Sequence, residues 1–168
     1  MKKLLLVISL LSFANSFAQQ TTPKGAWLEK WENSKNYLIG IAEAMPEEYY
    51  DFKPTERQMT FKEQLLHIQS NMEWLGAKYL NKEESEISIV ENEKERIIKT
   101  LENSFNYVAK AVKDTDTSKL SETVDFFAGQ KSKLQILNLL QDHVTHHRGQ
   151  LIVYLNLKDV EPPGYSGW

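Results

Sequence analysis

With 168 residues the chain is long enough for one domain, and with no cysteine it can form no disulfide. Any metal it holds must therefore sit on nitrogen or oxygen. A formal net charge of −3 and the lack of a basic block make binding to a phosphate backbone electrostatically uphill, which excludes nucleic acid as an expected partner.

Residues 1–18, MKKLLLVISLLSFANSFA, read as a signal peptide: Lys2 and Lys3, an apolar run of ten residues, then Ser16 and Ala18 at the small positions of a cleavage site. As a helix that run rises only about 15 Å against a bilayer core of about 30 Å, too short for a stable span. The expected mature domain is 19–168, exported to the periplasm or the exterior. Loss of Lys2 and Lys3 takes its net charge from −3 to −5.

Helix 1 is expected to open at Thr22-Pro23, with proline in the first turn, and to stop before Pro46. Trp27, Trp31, Leu38, Ile41 and Met45 recur at helical spacing. Residues 46–59 form a loop with two prolines. Thr60 and Glu63 make a capping box for helix 2, whose stripe is Phe61, Leu65, Ile68, Met72, Leu75 and Tyr79. Asn92 with Glu95 is a cap signal for helix 3, with Ile98, Leu101, Phe105, Val108 and Val112 inward. Residues 114–131 are irregular. Ser132 and Gln135 cap helix 4, which runs to about Leu157, and the Pro- and Gly-containing tail EPPGYSGW cannot be helical. Four amphipathic helices without a strand pattern predict an all-α four-helix bundle, with connections long enough for crossovers.

Three of the four histidines lie in DHVTHHRGQ, residues 142–150. His143 and His147, four residues apart, share one helix face and can converge on one ion. Relative to the apolar stripe of Leu137, Leu140, Val144, Leu151 and Leu155, His147 lies about 35° from the centre, His143 about 75° and His146 about 135°. The first two face the bundle and His146 its flank. Paired core histidines bonded to backbone or tyrosine would fit the same spacing. On helix 2 His67 lies about 120° from the centre of its stripe, which leaves the third ligand open between His67 and a carboxylate such as Glu63.

Other residues near the pair read more plainly. Arg148 is expected at the surface beside a carboxylate, and Gly149 at a close helix contact. Trp27, Trp31 and Trp74 read as core, and Phe126, Phe127, Tyr165 and Trp168 as packing at the bundle end or cover for the site. No HEXXH, Ser-His-Asp order, phosphate loop or paired-carboxylate motif supplies a general base.

FKPTERQMTFKEQLLHI (52–68), DHVTHHRGQLIVYL (142–155) and EPPGY (161–165) together resemble the DinB-like family of four-helix bundles. The resemblance covers nearly all of the mature chain. It implies helices in up-down-down-up order and a divalent metal held by one histidine of the second helix and two of the last, here His67, His143 and His147. Three imidazoles suit zinc, nickel or iron, and leave an open position of the catalytic kind. The family's better understood members are thiol-dependent S-transferases or isomerases, often dimers, and usually cytoplasmic; the leader departs from that pattern. The implied function is a metal-dependent hydrolase or thiol S-transferase acting on a small molecule, or a non-catalytic bundle that binds the metal or a small ligand.

Overall fold

The computed structural model describes residues 22–80 and 93–168. The expected signal peptide and the Asn92 cap lie outside the described residues. The fold is the all-α bundle expected from the periodicity: α1 (Pro23–Ala44), α2 (Phe61–Leu80), α3 (Glu93–Asp114) and α4 (Lys133–Leu157). Short 3-10 turns occupy Glu47–Tyr49 and Thr117–Ser121, within the connections that follow α1 and α3. The irregular segment before α4 also holds an antiparallel ribbon, β1 (Thr123–Val124) with β2 (Lys131–Ser132), registered Thr123 to Ser132 and Val124 to Lys131.

The helix starts follow local chemistry. Thr22 Oγ1 accepts from Gly25 N at 3.0 Å, and Pro23, which has no N–H to orphan, begins α1. Thr60 and Glu63 bond reciprocally, Glu63 Oε2 accepting from Thr60 N at 2.7 Å and Thr60 Oγ1 from Glu63 N at 3.1 Å. Ser132 and Gln135 repeat the device at α4. At the other end of α1, Lys94 donates to the carbonyls of Glu43 and Met45 at 2.7 and 2.8 Å, placing a cation on a helix C-terminus and tying α3 to α1.

The principal packing partners are α2 with α3, α1 with α3, α2 with α4, and α1 with α4. Helices α1 and α2 therefore face each other across the bundle's diagonal, and α2 lies against α4 along one side. Trp31 is 1% exposed; it stacks on Trp27 at 4.8 Å and donates its indole N–H to Phe105 O at 3.0 Å, while Trp27 donates to Leu137 O. One indole thus joins α1 to α3 and the other joins α1 to α4. Every residue of the expected α2 and α4 stripes is buried. On α3, Ile97 lies in the core and Ile98 is only partly buried, a shift of one position from the expected stripe. Among the described residues no helix is long and apolar enough to cross a membrane.

Candidate metal centre

The α2–α4 side of the bundle gathers three imidazoles. One ring nitrogen from each of His67, His143 and His147 lies within 4.8 Å of the others, in a group that contains no carboxylate. The Nε2 atoms of His67 and His143 face each other at 3.1 Å. Ring centroids are separated by 4.9 Å for His67–His143, 4.6 Å for His67–His147 and 4.5 Å for His143–His147. His67 therefore points to the α4 pair although it stands well off the centre of its own apolar stripe. The stripe marks the core's middle, whereas the histidines meet beside it, between α2 and α4. Glu63, the other candidate for third ligand, is occupied by the Thr60 cap.

His147 is held from behind. Its Nδ1 donates to Gln64 Oε1 at 2.6 Å, which leaves Nε2 as the lone-pair nitrogen. Gln64 Nε2 in turn donates to Gln150 Oε1 at 2.8 Å, and Gln150 Nε2 to His146 Nε2 at 3.0 Å. Gln64 is 2% exposed and three residues before His67, so one face of α2 carries both a histidine of the cluster and the acceptor that orients another. Sequence reasoning missed it. The available signal was a glutamine at i−3 to the candidate histidine, next to the first leucine of a buried stripe. His143 Nδ1 is buried without a hydrogen-bond partner.

The electrostatics keep the pair neutral. Burial, reinforced by the neighbouring histidines His147, His67 and His146, pushes His143 down to about 4. Burial, with His67 and His146, does the same for His147, also to about 4. Such rings carry free lone pairs at neutral pH, as metal ligation requires. The geometry fits too. Two nitrogens bound at 2.0–2.1 Å to a tetrahedral ion stand about 3.3 Å apart, close to the His67–His143 separation. The group could hold a metal ion.

The surrounding residues divide. His146 is on the exposed flank, as its helical angle predicts, and Asp142 is exposed and outside the cluster. Arg148 is not at the surface: it is 4% exposed, its guanidinium lies 4.9 Å from the Tyr37 ring centroid, and Nη1 has no partner. Its place is taken by packing between α1, α4 and the tail, where Tyr165 meets Tyr37 edge-on at 5.7 Å. Gly149 makes no close helix contact, since a Cβ there would meet nothing within 4 Å. Trp27 and Trp31 are core, but Trp74 is 41% exposed and lies among Phe126, Phe127 and Tyr79.

A family model described as the DinB family matches residues 18–167. No match is found among curated proteins. Among solved structures, a DinB-like protein from Bacillus cereus superposes with a TM-score of 0.75 at 20% identity, over 86% of this chain and 97% of that one. A DinB-like protein from Bacillus subtilis gives a TM-score of 0.70 at 20% identity, over 84% of this chain and 97% of that one. At such identity the likeness is one of fold.

Proposed function

The chain belongs to the DinB family, and on that premise we propose that His67, His143 and His147 together bind one divalent metal ion, zinc, nickel or iron, at a catalytic centre. The observation that carries the reading is the convergence of three imidazoles from α2 and α4 with His147 already fixed by Gln64. Holding a buried His147 and the partly buried His67 and His143 together between two helices costs free energy unless they share a partner. Three neutral ligands leave the ion its full charge and, in tetrahedral geometry, one position for substrate.

A divalent ion there would act as a Lewis acid on a substrate oxygen, or as the anchor of a thiolate. The chain's own contribution is positional. Gln64 sets the tautomer of His147, and the α2–α4 packing holds His67 against His143. Within the reading we favour a hydrolase over a thiol S-transferase, because residues 1–18 suit export and small thiols are scarce outside the cytoplasm. The substrate is a small molecule.

The test is metal content. Mature protein purified without a histidine tag should carry close to one equivalent of metal by mass spectrometry, and His143→Ala and His147→Ala should each lose most of it. Unchanged content in both variants would overturn the centre. Cobalt-loaded protein whose visible spectrum shifts on adding azide would support an open position; a spectrum indifferent to azide would turn the reading toward a non-catalytic metal-binding bundle.

A further inference from the structure

Trp74 stands seven residues beyond His67 on α2, two helical turns and about 10 Å along the axis, on the same face. It is 41% exposed, although the apolar stripe of that helix is buried. The turn between β1 and β2 lays two phenylalanines against it. The Phe126 ring is 6.2 Å away, and Phe127 is stacked at 6.3 Å with 30° between the planes. Phe127 is 82% exposed, so the stack is presented to solvent and not to the core. Gly129 holds the turn: its N–H donates to Phe126 O at 3.0 Å, and its φ of 93° is one that a side chain would resist.

Between His67 and Trp74 lies Asn71, whose Oδ1 is buried and has no hydrogen-bond partner. On α4 the pairing runs in the opposite sense, for Gln64 meets His147 and Gln150 while His67 meets His143. The α4 residues flanking this stretch are therefore those before His143. There Leu139, one turn back on the same face, is 36% exposed. A single stripe thus runs from the imidazoles, past an orphan acceptor and an exposed leucine, to an exposed aromatic stack.

We propose that this stripe is the substrate groove of the histidine centre, and that it takes a small molecule with a metal-binding oxygen at one end, an N–H donor beside it and a flat aryl group at the other. The inference rests on the metal reading above. The aryl group would stack on Trp74 and Phe127, and the N–H would meet Asn71. Aromatic pairs gain from offset stacking beyond the area they bury, and an unpaired buried acceptor favours a ligand that donates to it.

Two hydroxamates test it, because each offers the same chelating head and N–H. Metal-loaded protein should bind phenylbutyrohydroxamate at least tenfold more tightly than acetohydroxamate. Trp74→Ala and Phe127→Ala should each reduce that preference to threefold or less and leave acetohydroxamate binding within twofold. Both side chains are exposed, so these truncations spare the core. Equal binding of the two probes, or a preference that survives both substitutions, overturns the groove. Phenylbutyramide, which cannot chelate, separates this inference from the metal centre when added to metal-free protein. In a protein that loads no metal the centre falls, and chemical-shift changes at the Trp74 indole would then leave the stripe standing as an aryl-binding groove without a metal. No changes there, in a protein that loads no metal, would overturn the groove as well.

Discussion

His147 donates its Nδ1 proton to Gln64 Oε1 across 2.6 Å, joining α4 to α2 directly behind the imidazole cluster. An acceptor in that place fixes which nitrogen faces the cluster and holds the ring plane. Gln64→Leu should therefore weaken metal binding about 10–100-fold, measured by competition with a chromophoric chelator, while Gln64→Glu, which keeps an acceptor, should stay near wild type. Equal affinity in all three proteins would show that the bond orients nothing.

Acid should destabilise the metal-free protein through His143 and His147. Both are held at about 4 in the fold against an ordinary value of 6.5. Between those values the unfolded chain binds protons that the folded one refuses, so stability rises with pH. It is fully present above 6.5 and is lost as pH falls toward 4. Urea unfolding should show stability falling across that window by at most about 7 kcal/mol for the two rings together, and by less as solvent screens them, and His143→Gln should shrink the drop by roughly half. A flat profile in the wild type would contradict the burial of these rings as neutral species.

Arg148 should be worth more as a packing element than as a charge. It is buried over Tyr37 with an unpartnered Nη1, so removing the charge relieves a desolvation cost. Arg148→Met keeps the stem and should leave stability within about 1 kcal/mol of wild type or raise it. Arg148→Ala opens a void under the tail and should cost about 2–4 kcal/mol. Thermal unfolding of both variants checks the pair; equal losses would mean that the guanidinium itself holds this interface.

Gly76 packs α2 against α3: a Cβ there would lie 2.7 Å from Tyr107 Cε1. Gly76→Ala should gain helix propensity yet destabilise by about 1–3 kcal/mol through overpacking. A stabilised variant by denaturant unfolding would show that the Tyr107 ring swings aside.

The fold was legible where local chemistry decides it. Thr60 with Glu63, and Ser132 with Gln135, announce helix starts by residue type and spacing alone, and the apolar period fixed which faces of α2 and α4 are buried. The α4 histidine pair was legible for the same reason, since a four-residue interval on an inward face is geometry. The partner from α2 was not. His67 lies off its stripe, and only the pairing of α2 with α4 brings it to the α4 pair; the resemblance named it and periodicity did not. Gln64 and Arg148 were missed because residue type suggests exposure, while burial is set by the neighbouring helix and, for Arg148, by the tail. Trp74 failed in the opposite direction: an aromatic at helical spacing reads as core, and here a turn some fifty residues away draws it into an exposed stack.

The shared ion is the claim on which the functional reading stands, and anomalous diffraction at a metal absorption edge tests it most directly. Crystals of the tag-free protein should show one anomalous peak about 2.0–2.2 Å from a ring nitrogen of each of His67, His143 and His147. Metal-loaded crystals with no peak among those three rings, or with the ion bound elsewhere on the bundle, would contradict it.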